Sequence, residues 1–343
     1  MSRLYRFHES SDVRTASDAI AAPGVAMDWT PDRHSLSMAV ASDDAAALTP
    51  AHCRIGGEPL DSHRVLRRSD TGDVLGVVSS EYRPLSNGQL AAAIDAALPT
   101  SGRVVACGEW RGGKSAFWHV MLDKFDTARD AGKGGEDVTR TGFIVSTTHD
   151  GSGSVRVGGY SERLYCTNQL NGLRRASTSL NVQHRGTVDN LSSRLSAAFR
   201  GTVEWAAGLR STMAQLAAEP VDAAWLRGYF AEVVHAASTP AARRRVAAVG
   251  GDASAVERLN VGAAERRATS KAVGQWLDGM ETLHHNFGNA DNGAMPDGLR
   301  FSKFAALQAA TRWVNHDRGL NYESVTAGDG AALSAKALEL ATA

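Results

Sequence analysis

The chain contains 343 residues, 43% of them hydrophobic, and it carries 37 basic and 37 acidic side chains. This length and composition predict a globular protein with a sizeable core, and the balanced charge gives no overall indication of a polyanionic partner. No stretch approaches the roughly 20 apolar residues of a membrane span, and the opening residues lack the apolar core of a signal peptide. We therefore expect a cytoplasmic protein with no membrane partner.

The basic residues are unevenly distributed along the chain. Residues 151–211 contain eight arginines against three acidic residues, and most basic residues of the whole chain are arginines. Arginine suits bidentate phosphate contacts and stacking on bases, so this cluster favours a nucleic-acid partner. The compositional bias of a GC-rich genome is the alternative explanation. The eight arginines are Arg156, Arg163, Arg174, Arg175, Arg185, Arg194, Arg200 and Arg210.

In chain order, the first 62 residues contain helix-capping and helix-breaking residues without a sustained hydrophobic periodicity, and this pattern predicts an irregular segment of short helices and loops over residues 1–62. Residues 63–98 predict two strands around an Asp-Thr-Gly-Asp turn, followed by a helix from about Asn87. Residues 103–122 predict two further strands. Residues 126–140 contain almost no apolar side chains and predict a surface loop.

The densest local signal is a predicted hairpin over residues 141–170. Short apolar runs flank a polar turn, His149 to Ser154, that is rich in residues which reverse a chain cheaply. The returning strand is predicted to place apolar side chains on one face and Arg156 and Arg163 on the other. Asn168 follows where the chain leaves this strand, and we expect its amide to satisfy exposed backbone groups.

The hydrophobic period changes from two to about 3.6 after the hairpin. Residues 188–218 predict a long amphipathic helix, and further helices are predicted from Asp222, over residues 254–283 and over residues 302–316. The predicted fold class is α+β, with an antiparallel β-sheet and an embedded helix in the N-terminal half and a helical C-terminal half. The predicted boundaries are residues 1–62 for the irregular N-terminal segment, 63–187 for a β-rich core domain and 188–343 for a helical region.

One run of residues matches a nucleotide-binding pattern in form. Gly108 to Ser115, GEWRGGKS, fits the phosphate-binding pattern GxxxxGK[ST]. A phosphate-binding loop of this type opens a helix, whereas the residues after Ser115 are aromatic and β-branched and predict a strand. We therefore interpret the run as a hairpin turn.

The cysteine, histidine and serine patterns predict no catalytic or metal site. Cys53, Cys107 and Cys166 are far apart and form no CxxC pair, which argues against a disulfide framework or a cysteine-based zinc site. No histidine has a recognised metal-ligand spacing. Ser152 and Ser154 lack the GxSxG turn of a nucleophilic serine. We expect no cofactor, no metal, no catalytic residue and no enzymatic activity.

Four segments, in this order and spacing, carry a family resemblance: HRVLRRSDTGDVLGVVSSEYRPLSNGQL, THDGSGSVRVGGYSERLYCTNQLN, NVQHRGTVDNLSSRLSAAF and LQAATRWVNHDRG. Together they resemble the phage/plasmid-like protein family known as domain of unknown function 932, over roughly residues 63–320. Thr148 stands where that family usually has serine, and His184-Arg185 inverts its usual order. The motif residues matched are His149, Asp150, Gly151, Ser152, Arg163, Cys166, Asn168 and Leu170, together with Gln183 to Thr187.

Members of that family occur on phages, plasmids and genomic islands, so the resemblance implies a mobile-element protein of DNA metabolism. A looser similarity to phage single-strand annealing proteins implies binding or annealing of single-stranded DNA, by a homo-oligomer that needs no cofactor. Other recombination or replication proteins are then expected as further partners. If the chain binds single strands, we expect the contacts to come from the basic residues that flank the predicted hairpin and the loop leading into the long helix: Arg156, Arg163, Arg174, Arg175, His184 and Arg185.

Two other classes of function stay open at this level. The first is a structural or protein-interaction module of a mobile element, in which the basic face contacts solvent and binds no nucleic acid. The second is an enzyme in which the His149-Asp150 turn takes part in catalysis. Salt-dependent oligonucleotide binding separates the first class from DNA binding, and turnover assays with a divalent ion test the second.

Overall fold

The computed structural model describes ten segments of the chain, and the architecture given below is that of these segments. They are residues 3–7, 12–37, 59–163, 169–171, 180–182, 190–248, 271–288, 295–320, 324–325 and 328–343. The chain divides into two compact units. Unit 1 comprises Met1–Leu122, Gly142–Gly158 and Ser177–Val203, and unit 2 comprises Asp123–Thr141, Gly159–Ala176 and Glu204–Ala343.

Seven of the described strands form one sheet in the order β1-β5-β6-β7-β8-β10, and β9 pairs with β8 beside β10. In this sheet β5 pairs antiparallel with β1 and β6, and β8 pairs antiparallel with β9 and β10. The strand bounds are β1 Arg3–Arg6, β5 Arg103–Trp110, β6 Ser115–Asp126, β7 Val138–Thr148, β8 Val155–Arg163, β9 Gln169–Asn171 and β10 Leu180–Val182.

A second, three-stranded antiparallel sheet belongs to unit 1. Its order is β2-β3-β4, with bounds Pro31–Ser37, Pro59–Arg68 and Val74–Ser79. A small apolar cluster on this sheet buries Trp29, Leu66, Leu75, Val78 and Tyr82.

Two short helices of unit 1 are fixed by reciprocal capping. In α1 (Ala16–Ala21) Thr15 and Asp18 form a capping box, and in α2 (Asn87–Ala97) Ser86 and Gln89 do the same. Asp95 of α2 accepts hydrogen bonds from the first two backbone N–H groups of α1, at 2.6 and 3.1 Å. These donors have no partner within their own helix, so the carboxylate both caps α1 and ties it to α2.

The core of unit 1 lies on one face of the large sheet. The N-terminal part of helix α4 (Leu191–Ala218) packs there beside α1 and α2, and Phe143 of β7 stacks on Phe199 of α4 with ring centroids 3.8 Å apart. Alternate strand residues point to this core. The fully buried members include Leu90, Ile94, Val104, Cys107, Trp118, Val120, Val145, Val157 and Leu195.

Unit 2 is mainly helical and has its own apolar core. Its helices are α3 Thr127–Asp130, α5 Ala223–Ala237, α6 Pro240–Ala248, α7 Lys271–Gly288, α8 Lys303–Arg312 with a π-turn over Trp313–Asp317, and α9 Asp329–Thr342. Helices α5, α7, α8 and α9 contribute to the core together with the C-terminal part of α4. The residues buried fully or nearly so include Phe230, Met280, Leu283, Phe304 and Val314. Asp222 caps α5, as the sequence predicts, by accepting a 2.7 Å hydrogen bond from the backbone N–H of Trp225.

The α+β class, the antiparallel sheet with its embedded helix and the helical C-terminal half are confirmed. The predicted hairpin is formed by β7 and β8, and the predicted long helix is α4. The run Gly108 to Ser115 comprises the end of β5, a turn over Arg111–Gly113 and the first residue of β6, so a strand and not a helix follows the turn. Residues 254–270 of one predicted helix lie outside the described residues.

Two local predictions differ from the structure. Strands β1 and β2 occur in the segment for which the sequence predicted only helices and loops. The surface-loop prediction for residues 126–140 is confirmed for residues 131–136, which form neither helix nor strand and are exposed or partly exposed, but it is wrong at both ends, where α3 and the approach to β7 bury Thr127, Ala128 and Asp137 completely. The polar side chains of this segment are buried because they bond to one another and to Arg163.

Candidate functional site

The His149-Asp150-Gly151-Ser152 motif forms the turn between β7 and β8. His149 is completely buried there, and its Nε2 lies 2.9 Å from Oδ1 of Asn87 at the start of α2. Its backbone N–H donates a 2.7 Å hydrogen bond to the carbonyl oxygen of Lys114. The ring also meets the Trp29 ring edge-on, with centroids 5.0 Å apart. This histidine is therefore held as an interior side chain.

The hydrogen bond between Asn87 and the Met27 carbonyl determines that Nε2 of the His149 ring carries a hydrogen. Asn87 Nδ2 donates a 2.9 Å hydrogen bond to the carbonyl oxygen of Met27, and a carbonyl can only accept. Asn87 Oδ1 therefore faces His149 as an acceptor, so the Nε2 of His149 carries the hydrogen. A general base would need this nitrogen unprotonated and open to a substrate, and here it is neither.

Replacing Asn87 with alanine is expected to lower the free energy of unfolding by about 1–3 kcal/mol, because the Nε2–H of His149 and the Met27 carbonyl lose buried partners. Alanine has the higher helix propensity, so a loss cannot come from the helix itself. Urea unfolding of the two proteins measures the difference. Equal stability would contradict a structural role for this contact.

The rest of the turn packs against the three-stranded sheet. Asp150 Oδ1 accepts from both the backbone N–H and the Oγ of Ser152, at 2.9 and 2.5 Å, and Asp150 Oδ2 lies 3.8 Å from Arg111. Gly151 has φ of 80° and sits on Val78, where a Cβ would come within 2.6 Å of Cγ1. Gly76 of β4 faces the backbone of Asp150 closely enough that a Cβ would lie 2.5 Å from its oxygen. The motif thus serves to join two sheets.

A buried charged group lies in the same unit, and sequence reasoning did not find it. Glu109 is 1% exposed and accepts hydrogen bonds from Arg68, at 3.0 and 3.1 Å, and from the indole of Trp29, at 3.1 Å. The Arg68 guanidinium stacks over Trp29, 4.4 Å from the ring centroid, and also binds Asp70. Its hydrogen bond lowers the pKa of Asp70. In the sequence, the one sign of this buried group is that Glu109 is the acidic residue of the GEWRGGKS run.

Arg163 was predicted to bind nucleic acid, and the structure places it in the interior of unit 2. It is 2% exposed and pairs through Nε with Asp137, which is completely buried, while Nη2 lies 3.9 Å from Sδ of Met295. A side chain held in this way cannot reach a ligand at the surface. The prediction fails because Arg156 and Arg163 are an odd number of residues apart on β8, so they point to opposite faces.

Arg156 is the predicted binding residue that the structure leaves open to solvent. It lies on β8 between the buried Val155 and Val157, and its side chain forms no hydrogen bond or ion pair with the described residues. Asn181 of β10 pairs with it in the ladder. The other predicted site residues lie outside the described part of the chain: Cys166, Asn168, Arg174, Arg175, His184 and Arg185.

Two further arginines of the cluster, Arg200 and Arg210, differ in their surroundings. Arg210 makes two hydrogen bonds to the carboxylate of Asp130, at 2.7 and 2.9 Å, and so supports α3. Arg200 is exposed on α4 and forms no hydrogen bond or ion pair in the described segments. Because Val155 and Val157 face α4 in the core, Arg156 points from the opposite face of the sheet to that on which α4 lies.

Comparison with known proteins gives one match. Residues 74–338 match the model of the family described as "Domain of unknown function (DUF932)". No curated protein and no solved structure matches the chain. Among the described helices, none combines the length and the apolar character needed to cross a bilayer.

Proposed function

The chain belongs to the DUF932 family, whose model matches residues 74–338, and on that basis together with the geometry of β8 we propose that it binds single-stranded DNA. The observation that carries the proposal is Arg156, an exposed cation with no partner in the described residues, on the strand that anchors the arginine-bearing connections. The chemistry is phosphate neutralisation by guanidinium groups, which needs no catalytic residue.

Strand β8 brings the ends of these connections together. β7 lies on one side of β8, and both β9 and β10 pair with its other side. Residues 172–179, with Arg174 and Arg175, join β9 to β10, and residues 183–189, with His184 and Arg185, lead from β10 towards α4. In the sequence, the four further basic or titratable residues therefore belong to connections that begin at β9 or β10, the strands bonded to the one that carries Arg156.

A basic surface that includes Arg156 would hold the phosphate backbone and leave the bases free to pair. Single-strand binding of this type depends on charge rather than on base contacts, so it tolerates many sequences and weakens with salt. Annealing of complementary strands, assembly into a homo-oligomer and cooperation with recombination or replication proteins of a mobile element are the finer parts of this proposal.

Replacing Arg156 with alanine is expected to weaken binding of a fluorescent single-stranded oligonucleotide and to reduce the slope of log K against log salt by roughly 0.7. The triple variant that also lacks Arg174 and Arg175 should lose about 2 in slope, at roughly 0.7 for each phosphate contact. Fluorescence anisotropy at several salt concentrations measures both quantities. Stability should barely change, because Arg156 is exposed.

Arg200→Ala is the matched control for this experiment. It removes one exposed cation from the same unit, but from the helix on the other face of the sheet. Its effect on the slope should be near zero. An equal effect of Arg200→Ala and Arg156→Ala would show that net charge, and not the face of β8 that carries Arg156, determines binding.

A protein-interaction module is the second candidate function. Here the buried His149 turn and the Glu109 group would only stabilise the fold, and the exposed arginines would only be solvated. Wild-type protein that binds no oligonucleotide at low salt would favour this alternative.

A further inference from the structure

A cleft of about 680 Å³ opens within unit 2. It lies between the end of α5, helix α6, the start of α9 and the turn after α8. Its volume falls in the range of roughly 300–1,000 Å³ that small-molecule sites occupy. The charged and titratable side chains that line it are Glu232, His235, Arg243, Arg318, Asp329 and Lys336.

Arg318 is the half-buried cation of this cleft. Its guanidinium carbon lies 5.2 Å from the centroid of the Trp313 ring, so the aromatic face supports one side of the group. Burial lowers the pKa of Arg318, and the charge of Asp329 opposes that change without forming an ion pair in the described structure. The Arg318 side chain also makes no hydrogen bond to a described residue. Its donors are therefore available to a ligand in a partly desolvated place.

The surroundings of Arg318 favour an anion. Arg243 binds three carbonyl oxygens at the end of α5, those of His235, Ala236 and Ser238, at 2.9, 2.9 and 3.1 Å, and so neutralises the negative end of that helix. The first turn of α9 faces the cleft, where its backbone N–H at Gly330 donates a 3.4 Å hydrogen bond to Oγ of Ser324 and Asp329 adds an acidic side chain. The preference for an anion therefore comes from the guanidinium of Arg318 and not from the end of this helix.

We propose that this cleft binds a small molecule through an oxyanion, a carboxylate or phosphate group, with Arg318 as its main contact and Lys336 at the rim. A guanidinium presents two parallel N–H donors that match the two oxygens of such a group. Glu232 and Asp329 also line the cleft and repel a ligand with several negative charges. The charge balance therefore selects a ligand with a single anionic group and hydrogen-bond donors elsewhere.

An NMR titration of the full chain with inorganic phosphate, and separately with acetate, tests this site. The indole N–H signal of Trp313, whose ring contacts Arg318, is the reporter. We expect a saturable shift with at least one anion, and a response to only one of them assigns the group as phosphate or carboxylate. No saturable shift with either anion would overturn the proposal.

Three variants connect the response to the cleft. Arg318→Met should weaken the affinity by roughly tenfold or more, because the two-donor contact is lost. Lys336 lies on the partly exposed face of α9 and pairs with Glu339 at 2.6 Å, so Lys336→Met should weaken the affinity by a smaller factor and barely affect the fold. Arg300→Met is the control, since Arg300 pairs with Asp297 outside the cleft, and it should leave the affinity unchanged.

The variants can also contradict the proposal. If Arg318→Met does not fold, Arg318→Lys keeps the charge and removes the planar pair of donors, and it should still weaken binding. Unchanged affinity in Arg318→Lys and Lys336→Met, or an equal loss in Arg300→Met, would show that the anion binds elsewhere.

Discussion

Replacing Arg163 with methionine is expected to lower the free energy of unfolding by about 3–5 kcal/mol, the largest effect of any single change considered for this chain. The side chain is 1% exposed and its partner Asp137 is 0% exposed, so the variant leaves a carboxylate in the interior without its cation. Methionine keeps the apolar volume, so a cavity contributes little to the loss. Urea unfolding at pH 7 measures it.

The loss should also depend on pH. Burial raises the pKa of Asp137, and the charge of Arg163 opposes that rise. Without Arg163 the pKa of Asp137 rises further, and the folded variant then favours the protonated carboxyl. A group whose pKa is raised on folding gives its full stability below its unfolded pKa, here about 3.9, and loses it as the pH rises. The difference between Arg163→Met and wild type should therefore be smaller at pH 4 than at pH 7.

Arg210→Met is the matched control for this prediction. It breaks an arginine–aspartate pair of similar geometry, but Arg210 is 49% exposed and its partner Asp130 is 20% exposed. Exposed pairs contribute about 0–1 kcal/mol. A loss in Arg163→Met no larger than that in Arg210→Met, or a loss independent of pH, would contradict the buried-pair interpretation.

Replacing Gly76 with alanine is expected to lower the free energy of unfolding by about 1–3 kcal/mol, because an added methyl group overpacks the contact between β4 and the His149 turn. The new Cβ would lie 2.5 Å from the carbonyl oxygen of Asp150 and 2.9 Å from its Cα. Both are backbone atoms, so no flexible side chain can move aside. Urea unfolding compares the variant with wild type.

Gly208→Ala makes the same chemical change where space is open. No heavy atom lies within 4 Å of a Cβ at Gly208, which is exposed in α4. Alanine is the better helix former, so this variant should gain about 0.5–1 kcal/mol. A stable Gly76→Ala protein would show that the turn does not pack closely on β4.

The parts of the fold that the sequence predicts are those specified by local pattern. The Ser86 and Gln89 capping box marks the start of α2, and the turn formers from His149 to Ser154 mark the hairpin. Helix α4 follows from apolar residues at a period of about 3.6. In each case neighbours in sequence are also neighbours in space, so the signal lies within one window.

The parts that the sequence does not predict depend on long-range partners. The ends of residues 126–140 were not predicted to be buried, because the partner of the buried Asp137 is Arg163, 26 positions away. Glu109 meets Arg68 and Trp29 across 41 and 80 positions, so no local window contains the group. The prediction that Arg156 and Arg163 share a face of the strand is wrong for a local reason, because residues seven positions apart on one strand point to opposite faces.

The salt dependence of oligonucleotide binding by the wild-type protein tests the central proposal most directly. A fluorescent single-stranded oligonucleotide of mixed sequence is titrated by anisotropy at four or more salt concentrations. If Arg156 and the neighbouring arginines hold phosphates, log K falls linearly with log salt, by roughly 0.7 for each contact, and the Arg156→Ala slope is shallower by one such step. An absence of binding at the lowest salt, or a slope that Arg156→Ala leaves unchanged, would contradict it.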